Sequence, residues 1–247
     1  MALAAKPYLQ TVSLRPDAQF DADQYPYNIP AVGEIDRLAF HADVTFFVGE
    51  NGAGKSTVLE AIALALGYGH EGGTKNVQHR TTESVSQLHA NLRLAQGFRK
   101  PRDGYFLRAE SFFNVATYMD DLDDMAYLQG YGGKSLHARS HGESFMALLT
   151  HKFRGHGLYL LDEPEAALSP SRQLAALSAI HQLAQDHSQF IIATHSPILL
   201  SYPHAKIYLF DGTGINAVRY EDTEHYAITR DFLNHYPRRL EQLLGDD

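Results

Sequence analysis

Eight consecutive residues, Gly49-Glu50-Asn51-Gly52-Ala53-Gly54-Lys55-Ser56, fit the spacing G-x-x-x-x-G-K-[ST] without a mismatch. That pattern suits phosphate. Glycines let backbone N–H groups turn inward around phosphate oxygens. A helix starting at the end of the loop adds the positive end of its dipole. Lys55 is placed to reach the β- and γ-phosphates of a nucleotide, and the Ser56 hydroxyl to ligate Mg²⁺. The expected nucleotide-binding set is Gly49, Asn51, Gly52, Ala53, Gly54, Lys55, Ser56 and Thr57, with Lys55 also catalytic. Asn51 enters through the loop backbone, and the side chains of Glu50 and Asn51 are given no chemistry. The plain alternative is a glycine turn between a strand and a helix.

A second acidic site supports the first. Leu158-Tyr159-Leu160-Leu161 is an apolar strand that ends in the paired carboxylates Asp162 and Glu163. Phosphoryl transfer needs positioning and neutralisation of charge. Asp162 is therefore assigned to Mg²⁺, and Glu163 to the attacking water as a catalytic group. Taken alone, such a pair is often only a solvated strand end.

These residues need a frame to hold them. VTFFV at 44–48 reads as a buried strand, and Ser56–Leu66, free of Gly and Pro, as a helix. Strand, glycine loop, helix is the setting a phosphate loop requires. Further strands are expected at 104–109, 158–161, 190–194 and 206–210. Helical spacing appears in Phe145, Leu148, Leu149 and Phe153, and again in Leu174, Leu177, Ile180 and Leu183. The tail, 226–244, reads as a helix interrupted near Pro237. The first 40 residues suggest strands and turns, and 68–103 looks polar and irregular. The expected fold class is α/β: a P-loop NTPase with a mostly parallel sheet flanked by helices.

Ordered landmarks along residues 35–200 resemble the ABC ATPase class. After the phosphate loop (Walker A) comes Ser140-His141-Gly142-Glu143-Ser144, similar to the ABC signature L-S-G-G-Q. Walker B follows at Asp162-Glu163-Pro164, a D-loop-like stretch at Ala166-Ala167-Leu168-Ser169, and a switch-histidine strand at Ile191-Ile192-Ala193-Thr194-His195-Ser196-Pro197. More narrowly, GENGAGKST, SHGES, DEPEAALSP and IIATHSP resemble small soluble ATPases related to RecF, OLD and SMC heads. The sequence departs from the class at Arg139 for Leu, His141 for the first Gly and Glu143 for Gln in the signature. In the D-loop, Ala166 stands for Ser and Ser169 for Asp.

The resemblance implies one ABC ATPase head over 1–247, with a helical, signature-bearing subdomain at roughly 68–155. It implies ATP and Mg²⁺ as ligands, His195 as a catalytic contact to the γ-phosphate and water, and a homodimer in the ATP state. Ser140 and Gly142 would then meet the γ-phosphate held by the other chain. Ser140 followed by Glu143 is also a capping box, and a cap and an anion site share one geometry. The Q-loop strand GYFLRAESFF lacks Gln, so Glu110 is the candidate metal ligand there, with Gln78, Gln87 and Gln96 as alternatives and Arg108 as an ion-pair partner. Tyr25 and Tyr27 are candidates for stacking on adenine, or are core aromatics.

Other features read blandly. Asp120–Asp124 suits a solvated helix face better than a cation site. His137 and His141 lack a third ligand. Arg99, Lys100 and Arg102 suit a solvated loop better than DNA. The absence of cysteine excludes disulfides and zinc thiolates. A net charge of −8 disfavours generic nucleic-acid binding. No apolar run reaches the roughly 18 residues of a membrane helix and no signal peptide is apparent, so a cytoplasmic location is expected. The interval between Walker A and the signature, about 85 residues, is too short for a long coiled coil. The expected role is a nucleotide-driven clamp in DNA repair or defence, with a separate effector protein or DNA as partner. The alternatives are a transporter ATPase subunit, or a nucleotide sensor with negligible hydrolysis.

Overall fold

A computed structural model describes residues 6–75, 87–108 and 140–245. Its frame is a six-stranded sheet in the order β5-β6-β7-β3-β8-β9. The strands are β3 (Val44–Gly49), β5 (Asp103–Arg108), β6 (Gly157–Asp162), β7 (Gln189–Ala193), β8 (Lys206–Asp211) and β9 (Gly214–Val218). All neighbours are parallel except β8 and β9, which form an antiparallel edge. Every residue of β3, β6 and β7 is buried. Continuous apolar strands of this kind belong in a parallel sheet covered on both faces.

The two faces follow from the period of two along each strand. Phe47, Leu158, Leu160 and Ile191 face a core shared with α2 (Lys55–Ala65) through Val58, Leu59 and Ile62. Phe46, Val48, Tyr159, Leu161 and Ile192 face the opposite core. That second core is closed by α4 (His141–Ala147) and α5 (Pro170–Gln185). Two further short helices, α1 (Pro30–Gly33) and α3 (Leu88–Asn91), lie on the chain before β5.

A three-stranded antiparallel sheet, β2-β1-β4, lies beside the first core. It is formed by β1 (Leu9–Leu14), β2 (Leu38–Ala39) and β4 (Leu92–Gln96). Two side chains join it to the main sheet: the Tyr208 hydroxyl of β8 accepts from the Ala39 N–H (3.0 Å) and donates to the Ala39 carbonyl (2.9 Å) in β2, and Gln189 binds the other end. Gln189 is fully buried at the start of β7. Its Oε1 accepts from the N–H of Tyr8 (2.8 Å) and Leu9 (2.9 Å), and its Nε2 donates to the carbonyls of Leu9 (2.9 Å) and His41 (3.0 Å). The amide is fully satisfied, which is what makes its burial tolerable.

Several sequence expectations need correction. Within the stretch expected to be irregular, 68–103, the described residues include α3 and β4, and β4 draws its order from long-range pairing with β1. Within 68–155, β5 joins the main sheet and β4 the small one. The buried stripe of α5 is Ala176, Ile180 and Ala184, while Leu174 is 59% exposed. Leu177 and Leu183 are half-buried and pack against the same core, so Leu174 alone of the four expected positions points away from it. Helical spacing around Phe145–Phe153 becomes α4 followed by a π-turn at Leu148–Lys152. The tail is α7 (Glu224–Leu244), kinked at His235, two residues before Pro237. The short α6 (Pro197–Leu200) follows β7. Glu110, Gln78, Asp120–Asp124, His137 and Arg139 lie outside the described residues.

Replacing Gln189 with Leu strands four buried backbone groups at the junction of the two sheets. The variant is expected to lose at least about 3 kcal/mol of stability. The urea midpoint measures it; a loss within experimental error would show that the small sheet does not depend on this amide.

Candidate nucleotide site

The sheet brings the chemistry to one edge. In the pairing of β3, β7 and β6, Phe47 stands beside Ala193 and Ala193 beside Asp162. The phosphate loop, the acidic pair and His195 therefore leave the sheet together at the carboxyl ends of three adjacent parallel strands. Crevices at such ends are where ligands bind in open α/β sheets.

The loop is shaped by two glycines. Gly49 has φ +146°, and a Cβ there would lie 2.2 Å from the Phe210 carbonyl oxygen. Gly54 caps α2 in the left-handed region at φ +97°. No side chain caps this helix start, which leaves its N–H groups for an anion. Lys55 is 4% exposed, and its Nζ donates to the carbonyls of Gly49 (2.9 Å) and Glu50 (2.8 Å). Burial lowers its pKa, while the carboxylates of Glu163, Asp162 and Glu165 pull it back up.

Across the crevice, Ser56 Oγ donates to Asp162 Oδ1 at 2.9 Å. A hydroxyl and a carboxylate in contact form an all-oxygen donor pair of the kind Mg²⁺ takes alongside phosphate oxygens. Glu163 sits in the left-handed region at φ +49° and starts the 3₁₀ turn Pro164–Ala167. This is an uncommon conformation for a non-glycine residue and is held by the Glu163 N–H bond to the Ala193 carbonyl at 2.9 Å. It turns the side chain toward His195, with Glu163 Oε1 3.6 Å from His195 Nε2. That is beyond a hydrogen bond. Burial, helped by the Lys55 charge, lowers the His195 pKa. His195 is thus a neutral imidazole facing a carboxylate at pH 7.

Two neighbours of His195 escaped the sequence reading. Glu165 Oε1 accepts the His195 N–H at 2.6 Å. His225, in the first turn of α7, places Nε2 3.0 Å from His195 Nδ1. No local pattern marks His225, because it lies thirty residues beyond its partner. Two cavities adjoin the loop. One, of about 390 Å³, is lined by Gly49–Ala53, Phe210 and His225, and the other, of about 600 Å³, by Asn51, Glu163, His195, His225 and Thr229.

Neither Ser140 nor Gly142 lines these cavities. Ser140 caps α4 in a full capping box. Its Oγ accepts the Glu143 N–H, and Glu143 Oε2 accepts from the Ser140 N–H at 2.8 Å. Arg172 Nη1 adds a bond to Ser140 Oγ at 3.3 Å. A Cβ on Gly142 would lie 2.6 Å from both the Ala167 carbonyl oxygen and Arg172 Nη1, so this glycine is required by packing. Tyr27 is a core residue, stacked on Phe20 with centroids 4.1 Å apart. Tyr25 is exposed, its hydroxyl 3.3 Å from Thr57 Oγ1. Arg108 pairs with Glu60 at 3.0 Å. Gln87 and Gln96 belong to α3 and β4.

Residues 28–97 match the family model of an AAA domain. No curated protein matches the chain. Among solved structures, a metal-chelate type ABC transporter in an inward-facing conformation aligns over 90% of this chain and 88% of its own, at 17% identity and a TM-score of 0.50. The fold is that of an ABC ATPase head. The ADP conformation of an ATP-binding cassette of an ABC transporter (15% identity, 97% and 99% coverage, TM-score 0.49) and the SMC head domain from Thermotoga maritima (15%, 86% and 99%, 0.46) are also similar. On this fold the phosphate loop, the acidic pair, His195 and His225 converge on one crevice, while the segment around Ser140 and Gly142 stands apart from it.

Glu165 carries a pH signature. Burial raises its carboxyl above the ordinary 4.5, against hydrogen bonds from the His195 N–H and Thr194 that lower it. The folded state thus prefers the protonated form. Its contribution to stability is fully present below about pH 4.5 and is lost as pH rises through the raised pKa. Glu165→Gln fixes the neutral form. Urea midpoints from pH 4.5 upward should therefore fall relative to the variant in the wild type. Parallel profiles would place Glu165 at its ordinary pKa.

Proposed function

We propose that this protein binds ATP with Mg²⁺ and hydrolyses it between two head-to-tail copies of the chain. The observation that carries the reading is the convergence of Lys55, Ser56, Asp162, Glu163 and His195 at adjacent strand ends. Loop N–H groups and the α2 N-terminus take the phosphates. Lys55 exchanges its two loop carbonyls for β- and γ-phosphate oxygens, a stronger charge-assisted pairing. Ser56 and Asp162 hold Mg²⁺, with Glu110 as a further candidate ligand, and the ion neutralises charge on the phosphates. Glu163 accepts a hydrogen bond from the attacking water and orients it in line. His195 Nε2, on the other side of that position, donates to a γ-phosphate oxygen.

The second copy supplies Ser140 Oγ and the Gly142 N–H to the γ-phosphate. That assignment is supported by their position outside the crevice of their own chain. ATP then bridges two chains and ADP does not, so turnover opens what binding closes. In this reading the clamp is a soluble, cytoplasmic ATPase head acting with a separate effector protein or DNA in repair or defence. No helix among the described residues is long and apolar enough to cross a membrane.

Replacing Glu163 with Gln removes the water-orienting carboxylate and keeps the shape. Hydrolysis should fall about 10²–10⁴-fold with ATP binding retained. Light scattering should give a dimer with ATP-Mg and a monomer with ADP-Mg or no nucleotide. A monomer at saturating ATP would leave the signature segment as a helix cap and overturn the sandwich. For the partner, duplex DNA added to the wild type should raise its ATP turnover, and an unchanged rate across lengths and salt would argue for a protein effector instead.

A further inference from the structure

The first turn of α7 is the best-anchored part of that helix. Thr223, its N-cap, is 1% exposed, and Thr223 Oγ1 donates to the Tyr220 carbonyl at 2.7 Å. Tyr220 in turn donates its hydroxyl to the carbonyl of Pro197 at 2.8 Å, the first residue of α6 and two positions after His195. The tyrosine rings of Tyr220 and Tyr226 pack 4.6 Å apart. No described residue of α7 itself is buried. The turn is thus tied to the histidine loop at several points, and it sets His225 against His195 with ring centroids 5.2 Å apart.

We propose that His225 is a positioning residue for ATP hydrolysis, which holds His195 in the tautomer that carries its proton on Nε2. A neutral imidazole has one N–H and one bare nitrogen. The Nδ1···Nε2 contact between the two rings, at 3.0 Å, therefore allows one donor and one acceptor. The direction is set from the far side of His195. Its Nε2 faces Glu163 Oε1 at 3.6 Å, and a carboxylate oxygen presents lone pairs. A bare Nε2 there would set lone pair against lone pair, so Nε2 carries the hydrogen and Nδ1 accepts. His225 must then donate from its own Nε2. Burial lowers the pKa of both rings, which keeps the pair neutral near pH 7. The outcome is an Nε2–H directed into the crevice, the form that donates to a γ-phosphate oxygen. The other tautomer would present a lone pair to phosphate. Partners that fix the tautomer of a functional histidine act in the same way around metal centres, where their loss costs about 10–100-fold in activity.

The kinetic part of this inference rests on the hydrolytic reading above; the tautomer part does not. Long-range ¹H–¹⁵N spectra of the full-length, histidine-labelled chain report which ring nitrogen is protonated, with the His195 signals assigned by their loss in H195N. The wild type should show His195 protonated on Nε2, and His225→Ala should shift or mix that state. His195 protonated on Nδ1 in the wild type, or unchanged in the variant, overturns the proposal whether or not ATP is hydrolysed. In ATPase assays, His225→Ala should lower kcat about 10–100-fold with KM for ATP-Mg within about twofold. His225→Gln, whose amide keeps an N–H donor, should recover most of the loss, and His225→Phe should not. On a His195→Ala background the His225 substitution should have no further effect, since it acts through that ring. A wild type that hydrolyses ATP alongside an equally active His225→Ala sinks the positioning role. A wild type that binds ATP without turnover sinks the hydrolytic reading and leaves the spectra to decide the tautomer.

Discussion

A buried ammonium governs this architecture. Lys55 is almost inaccessible, and a cation in that position must be compensated or lose its proton. The compensation comes in two layers. Two loop carbonyls take the amine directly. Behind them stand the carboxylates of Glu163 and Asp162, at the end of β6. That strand end reaches Lys55 only because β6 and β3 flank β7 in parallel, with their carboxyl ends level. The sheet order is thus the condition under which a charged lysine stays charged at the floor of a phosphate site. The same crowding sets the neighbours apart: burial, with the Lys55 charge, favours a neutral His195, and burial, with the Glu163 charge, leaves a carboxyl at Glu165 that resists ionisation.

Legibility in the sequence follows from the range of the interaction. The loop at 49–56 could be read because its function is local: glycines at fixed offsets between an apolar strand and a helix. Asp162 and Glu163 could be read because β6 is an unbroken apolar run that ends at them. The α/β class was likewise visible in the alternation of elements. What stayed hidden depends on partners distant in the chain. β4, read as irregular, becomes a strand by pairing with β1, about eighty residues earlier. Gln189 looks like one polar residue at a strand start, and its four bonds exist only once β1 lies beside β7. The stripe of α5 was legible at Leu177, Ile180 and Leu183, which face the core, but not at its fully buried centre, Ala176 and Ala184, because large side chains outweigh alanines in any periodicity. His225 belongs to the same group: its neighbour is set by the turn that returns α7 to the crevice.

The signature segment and the histidine loop are linked by two adjacent residues in the first turn of α5. Arg172 reaches Ser140 Oγ at 3.3 Å and Glu143 at 3.5 Å. Gln173 accepts from Ser196 Oγ at 2.6 Å and donates to the Leu168 carbonyl at 3.0 Å. Ser196 itself caps α6, directly after His195. One turn of helix thereby touches both the segment capped by Ser140 and the loop that carries His195. The magnitudes decide what such a link can do. The Arg172–Glu143 pair is exposed enough to contribute only about 0–1 kcal/mol. The Gln173–Ser196 bond is partly buried and contributes about 1 kcal/mol. The sum is near the lower end of ordinary coupling between sites, about 1–3 kcal/mol. A link of that size lets the state of the Ser140 segment bias the His195 loop several-fold at most, and it cannot act as an all-or-none switch, which needs about 5.5 kcal/mol.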